Sequence, residues 1–196
     1  MELIFATSNK GKLVEIRKIL EGWSVSSLED ENIDVDVVED GSTFEENAAK
    51  KATEIMQLTG KIVLADDSGL EIDYLNGEPG VHSARYLGHD RPYAEKNAII
   101  LDRLKDVPPS ERTARFVCVI AAAIPGRDVL LARGTIEGVI GSEIKGGNGF
   151  GYDPIFYVPQ HGMTTAEMPP DLKNEISHRG KALREMKQLL AEAGIQ

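Results

Sequence analysis

A single cysteine, Cys118, rules out an intrachain disulfide, and its position inside the apolar run Val117 to Ile124 marks it as a buried structural thiol sooner than a nucleophile. Long apolar runs are missing as well. That stretch falls far short of the roughly 20 residues needed to cross a bilayer, and the N-terminus lacks the basic and apolar regions of a signal peptide. No membrane contact and a cytoplasmic location are therefore expected. Basic residues are in deficit, 22 Lys and Arg against 32 Asp and Glu, for a net charge of −10. Such a chain has no broad cationic surface with which to displace counterions from a nucleic acid polymer. A small polyanion is different, because a few converging lysines can hold it, the more so with a divalent cation. Repeats and low-complexity tracts are absent, and 196 residues with 41% hydrophobic content suffice for one substantial core. One domain over residues 1–196, with two lobes, is expected.

Along the chain, short β-branched runs alternate with helical patterns, which is an α/β signature. Leu3 to Ala6 reads as a strand, and Leu13, Ile16, Ile19 and Leu20 form one face of a helix capped by Ser8 or Asn9. The acidic stretch 24–38, ending in DVDVV, predicts one or two strands. Thr43-Phe44-Glu45-Glu46 is a capping box that opens a helix on Ala48, Ala52, Ile55 and Met56, running to about Leu58 before Gly60. KIVLADD predicts an apolar strand that stops at its two carboxylates. Residues 93–104 predict a helix using Ala94, Ala98, Leu101 and Leu104. ARFVCVIAAAI, DVLLAR and GTIEGVIG read as three consecutive strands, the first turn lying at Pro125-Gly126. A last helix starts near His178, uses Leu183, Met186, Leu189 and Leu190, and closes at Gly194. Antiparallel segments inside an α/β chain imply a mixed sheet.

Four stretches carry chemistry, and each also has a plain structural reading. At Thr7-Ser8-Asn9-Lys10-Gly11-Lys12, outward-pointing amides at a helix start plus two lysines suit a phosphate, although the same residues make a well-capped, solvated helix end. The phosphate-loop motif is not matched, since Gly11-Lys12 is followed by Leu13. Asp66-Asp67-Ser68-Gly69 puts paired carboxylates at a strand end, where a divalent ion would neutralise them and one could activate water; as turn chemistry they would simply face solvent. Phe150, bracketed by glycines in GGNGFGYDPIF, suits base stacking or serves as the apolar plug of a hairpin. Lys173 and Ser177-His178-Arg179 offer donors to a carbonyl-bearing base or a phosphate, or else form a helix cap and its first turn. Taken together the four segments supply the complementary parts of a nucleotide site.

In order and spacing, TSNKGK, FEENAAKKA, ADDSGLEIDYLNGEPGVHSARY, GGNGFGYDPIF and KNEISHRGKAL resemble the signature segments of the inosine triphosphate pyrophosphatase family, over about residues 3 to 190. The resemblance implies a two-lobed α/β fold, with a long central mixed β-sheet flanked by helices and an active-site cleft between the lobes, and a homodimer. It implies Mg²⁺-dependent hydrolysis of ITP, dITP and XTP between the α- and β-phosphates, giving monophosphate and pyrophosphate. By the same resemblance Thr7, Ser8, Asn9, Lys10, Gly11 and Lys12 hold the triphosphate, Asn9 and Lys12 foremost, and Lys51 reaches it from the second helix. Asp67 becomes the general base and a metal carboxylate, assisted by Asp66 and Glu39, and Ser68 contacts substrate. Phe150, Gly151, Tyr152 and Asp153 frame the base, and Lys173, His178 and Arg179 close over it. Two rivals stand beside this one. A Maf-like pyrophosphatase would open on an Ala-Ser-x-Ser-x-Arg-Arg corner, which is not found here, and a nucleotide-sensing module without turnover would not need an ionised base beside a metal.

Overall fold

The computed structural model describes residues 2–7 and 9–195. Seven strands form one mixed sheet in the order β2-β1-β3-β4-β5-β6-β7. Here β1 is Glu2–Phe5, β2 Ser24–Ser27, β3 Val63–Ile72, β4 Thr113–Ala123, β5 Leu130–Ile140, β6 Phe156–Val158 and β7 Met163–Thr164. The register is parallel for β1 with β2 and with β3, and antiparallel for β5 with β6 and β6 with β7. Among the described residues five α-helices accompany it: α1 Lys10–Ile19, α2 Phe44–Thr59, α3 Tyr93–Arg103, α4 Pro170–Ile176 and α5 His178–Glu192.

The chain divides into two compact units: Met1–Asp67, Cys118–Gly134 and His178–Gln196 form the first, Ser68–Val117 and Thr135–Ser177 the second. In the first, Phe5 and Leu64 from the sheet pack with Ile16 and Leu20 of α1 and with Leu183 and Met186 of α5. Cys118 belongs to this core, and burial pushes its thiol up to about 12, so it is inert as a nucleophile. In the second, Leu70, Ile72, Ile100, Leu104 and Ile140 surround Phe116 and Phe156, whose ring centroids are 4.4 Å apart. Apolar burial of this kind contributes roughly 1.5–3 kcal/mol for each large side chain.

Local signals account for most helix ends. Asn9 caps α1 by accepting from the Lys12 amide, and Thr43 caps α2 by accepting from the Glu46 amide. The Glu46 carboxylate turns back on the amides of Ser42 and Thr43 and also accepts from the Ser42 hydroxyl, so the box is shared with the preceding residue. Gly60, at φ 66°, ends α2 in the left-handed region.

Elsewhere tertiary context overrides the local pattern. Residues 34–38 form no strand; Val35 and Val38 are exposed, and the segment delivers Glu39 to Lys51 and Asp40 to Lys50. β3 does not stop at the aspartates but runs through them to Ile72, because both carboxylates find partners within the fold. On α3 the buried residues are Lys96, Asn97 and Ile100, with Ala94 and Ala98 exposed. DVLLAR and GTIEGVIG are one strand, β5, with Gly134 in its middle. A Cβ on Gly134 would lie 2.1 Å from the His178 carbonyl oxygen and 2.7 Å from the Ala182 amide, so this glycine lets α5 start directly against the strand. The seven-residue α4, begun by Pro169-Pro170, was not legible as a helix.

Gly134→Ala is expected to cost about 3 kcal/mol or more, since backbone rather than a flexible side chain would have to yield. Urea unfolding measures it, and an unchanged midpoint would mean that α5 does not depend on this contact.

Candidate active site

The first unit gathers four elements around one carboxylate. Asp66 lies on β3, and its pleat sends the side chain to the face opposite that of Asp67. Lys12, on the first turn of α1, puts its ammonium 2.7 Å from Asp66. Arg179, on the first turn of α5, places Nη2 3.6 Å from the same carboxylate and ion-pairs through Nη1 with Glu15 of α1. Lys51 of α2 donates to the Asp66 backbone carbonyl at 3.1 Å and ion-pairs with Glu39. Asp66 is only 1% exposed and Arg179 2%. Burial raises the Asp66 pKa, but Lys12, Arg179 and Lys51 outweigh it and hold the carboxyl well below the usual range. Burial likewise pulls Lys51 down, and the charges of Asp66 and Glu39 reverse this to leave it raised.

Asp67 behaves in the opposite way. Burial raises its pKa from 3.8 to about 6; a hydrogen bond from Asn47 opposes the rise and the negative charge of Glu39 adds to it. Asn47 Nδ2 donates to Asp67 Oδ2 at 2.9 Å, while its Oδ1 accepts from the Gly41 amide at 2.8 Å. One buried amide therefore ties Asp67 to the segment that carries Glu39. Sequence reasoning missed Asn47 as a site residue. Its signal was a buried-face asparagine within the helix pattern of FEENAAKKA, where an apolar residue would be expected.

The phosphate corner predicted at residues 7–12 lies beside this cluster through Lys12. Thr7 Oγ1 accepts from the Asn9 amide at 3.2 Å, and Asn9 Oδ1 from the Lys12 amide at 3.1 Å. No acidic side chain occupies the first turn of α1, and Lys10 is exposed there with Gly11 partly so. Ser8 lies outside the described residues. His178 opens α5 and is buried.

The second unit holds the predicted aromatic frame. The Phe150 amide donates to Asp153 Oδ2 at 2.8 Å, and Lys173 Nζ donates to the same oxygen at 2.7 Å. Thr165 Oγ1 donates to Asp153 Oδ1 at 2.8 Å. The Lys173 ammonium stands 5.1 Å from the centroid of the half-buried Phe150 ring, in cation–π range. Gly149 has φ +74°, and a Cβ there would lie 2.2 Å from Asp153 Oδ2, so both its conformation and its space require glycine. Tyr152 donates its hydroxyl to the Ser83 carbonyl at 2.7 Å, and the Gly151 carbonyl accepts from Asn97. Ser68, on β3, is half-buried.

Among the described residues no three His, Cys, Asp or Glu side chains converge on one point. What is present is the pair Glu39 and Asp67, close enough for one charge to raise the other's pKa. An all-oxygen pair of this kind fits a hard divalent cation that takes one or two carboxylates and completes its shell with phosphate oxygens and water.

The chain matches the family model described as "Ham1 family" over residues 3–189. It is 49% identical to a dITP/XTP pyrophosphatase of Desulforamulus reducens over 97% of this chain and 96% of that protein. It is 48% identical to a dITP/XTP pyrophosphatase of Exiguobacterium sibiricum, covering 97% of each. Among solved structures, a HAM1 protein from Coxiella burnetii superposes with a TM-score of 0.89 at 43% identity, covering 98% of this chain and 99% of that one. The Staphylococcus aureus Ham1 protein also gives 0.89, at 39% identity, covering 98% and 100%.

The carboxyl of Asp67 is expected to titrate near pH 6 in the metal-free protein, read by NMR. Glu39→Gln should lower that midpoint and Asn47→Ala should raise it. Because the folded value exceeds the unfolded one, folding favours the protonated form: the stability that this group lends below pH 3.8 is lost as pH rises through about 6. Asp67→Asn should therefore stabilise the metal-free protein at pH 8, by up to about 3 kcal/mol. A midpoint below 4, or a less stable Asn variant, would contradict the assigned environment.

Proposed function

The chain belongs to the Ham1 family, and from that footing we propose that it hydrolyses ITP, dITP and XTP between the α- and β-phosphates, releasing the nucleoside monophosphate and pyrophosphate. It thereby clears non-standard purine nucleotides from the pool, as a homodimer in the cytoplasm. The printed activity of its relatives, dITP/XTP pyrophosphatase, supports this reading. The observation that carries it is the cluster of Lys12, Lys51 and Arg179 around Asp66, with the elevated Asp67 on the other face of the same strand.

A triphosphate carries close to four negative charges and must be received by several cations. Lys12 and Lys51 are already held in position by carboxylates, so little reorganisation is needed when phosphate oxygens arrive. The amides at the start of α1, with Lys10 and Gly11, add donors of the kind anions prefer. Asp67 accepts the proton of the attacking water at a carboxylate oxygen. The carboxylate is ionised at neutral pH, the form that an acceptor requires. Asn47 keeps its Oδ2 fixed during that transfer. Bound Mg²⁺, for which Glu39 and Asp67 are the candidate ligands, would neutralise phosphate charge as the pyrophosphate departs. Asp66 is assigned to holding Lys12 and Arg179 rather than to the metal, since it lies on the opposite face from Asp67 and those two cations already surround it.

In this reading Phe150 stacks on the base, with Gly151, Tyr152 and Asp153 as its frame and Lys173 above it. Ser68 and His178 remain candidate substrate contacts. Hypoxanthine and xanthine present a 6-oxo acceptor and an N1–H donor, and adenine presents the reverse. A site built for the oxo form leaves two groups unpaired with ATP, which corresponds to discrimination of about 10² to 10⁴.

Incubation with ITP, XTP, dITP, GTP, ATP and dTTP plus Mg²⁺, with product identification, tests the proposal. Monophosphate and pyrophosphate are expected from the first three, with ATP slower by about 10²-fold or more. Orthophosphate as product, or equal rates with ATP, would overturn it. Asp67→Asn should cut kcat by about 10² to 10⁴ with little change in KM, whereas Lys12→Ala should chiefly raise KM.

A further inference from the structure

Helix α3 carries two buried polar residues that the reaction as described does not use. Lys96 is 1% exposed and donates to the Ala84 carbonyl at 2.8 Å, with its ammonium 4.9 Å from the Tyr93 ring centroid. Asn97 is 2% exposed; its Nδ2 donates to the Gly151 carbonyl at 3.1 Å. Its Oδ1 is buried without a hydrogen-bond partner among the described residues. Asparagine is a mediocre helix former, and a buried amide oxygen left unpaired is a cost that leucine would not incur at this position. Native folds keep few such groups, and each calls for a reason.

The reason lies in what the other end of the amide holds. Gly151 directly follows Phe150 and has φ +68°, a left-handed conformation that turns the chain sharply after the aromatic ring. The peptide on the N-terminal side of Phe150 is fixed by its amide on Asp153 Oδ2, and the Gly151 carbonyl is fixed by Asn97. The ring is thus set between two anchored groups. Tyr152, next in the chain, is anchored twice, by its hydroxyl on the Ser83 carbonyl and by its ring standing edge-on to Tyr93 of α3 at 5.2 Å. Lys96 holds Ala84, the neighbour of that same Ser83. One helix turn, Tyr93 to Asn97, therefore backs the whole Phe150–Tyr152 segment.

We propose that Asn97 is a positioning residue for substrate selection: by holding the Gly151 carbonyl it fixes the Phe150 ring in the orientation that stacks on the purine, without itself touching substrate. This rests on the assignment of Phe150 to the base. A ring that is fixed before binding loses no conformational freedom on stacking, so the effect falls on KM for purine substrates and not on the phosphate end.

The test is a double-mutant cycle on the full-length enzyme with Mg²⁺, using Asn97→Ala, Phe150→Ala and both together. KM for ITP should rise about tenfold in each single variant, in keeping with the strength of base–aromatic stacking. The double variant should be no worse than Phe150→Ala alone, kcat should stay within about twofold, and competitive inhibition by inorganic pyrophosphate should be unchanged. Additive effects, or an unchanged KM in Asn97→Ala, would overturn the positioning role while leaving Phe150 at the base. An unchanged KM in Phe150→Ala would overturn the base assignment and this inference with it. If Asn97→Ala proves too unstable to purify, Asn97→Leu replaces it in the same cycle, since it fills the space and lacks the donor. A loss of pyrophosphate inhibition parallel to the loss of ITP binding would mark a general structural defect and refute the inference.

Discussion

The ion pair between Lys12 and Asp66 is the contact on which the first unit's chemistry rests. A carboxylate that is 1% exposed cannot stay ionised in the interior without cations, and each of the cations here arrives on a different helix. Lys12 comes from the start of α1, Arg179 from the start of α5 and Lys51 from α2. Such a cluster is weak evidence for net stability, because desolvation offsets most of the Coulomb gain. Its consequence is positional. Removing Asp66 would leave buried positive charge behind, so the carboxylate fixes where the basic groups of three helices converge. Glu15 extends the same logic by holding Arg179 from its other side.

Asp67 shows the converse. It is one residue away in sequence, yet the strand's alternation gives it a different face and a different set of neighbours. At Asp66 the cations outweigh burial, whereas at Asp67 burial and the charge of Glu39 outweigh the Asn47 amide and the charges of Lys51 and Lys12, and the two carboxyls are driven in opposite directions. Two like groups with separated affinities for protons can take two roles, one as a fixed counterion and one as a proton acceptor. The second role carries a folding cost, the usual relation between a reactive group and the stability of the chain that holds it.

The second unit solves a different problem, that of holding an aromatic ring still on a glycine-rich segment. Asp153 is the hub: it accepts from the Phe150 amide, from Lys173 and from Thr165, and it occupies the space that a side chain on Gly149 would need. Four glycines within residues 146–151 suggest flexibility when read as composition. In the fold, partners hold the segment at particular points: the Asn148 amide on the Ala166 carbonyl, the Phe150 amide on Asp153 and the Gly151 carbonyl on Asn97.

The boundary of what the sequence disclosed follows from this. Caps, helix lengths and the apolar strands were legible because they depend on residues within a few positions of one another: Asn9 with Lys12, Thr43 with Glu46, Gly60 at a helix end. The candidate site residues were legible as chemical types for the same reason, since lysines at a helix start or paired aspartates announce themselves. The course of β3 through Asp66 and Asp67, the single strand that absorbs Gly134, and the burial of Lys96 and Asn97 on α3 were not. Each is decided by a partner distant along the chain: Lys12 and Arg179, the start of α5, the Gly151 carbonyl. The sequence by itself determined which groups this protein has to work with; only the tertiary structure decided which aspartate is neutralised and which is left basic. Charge burial and pairing depend on distances in space, and no local pattern encodes them.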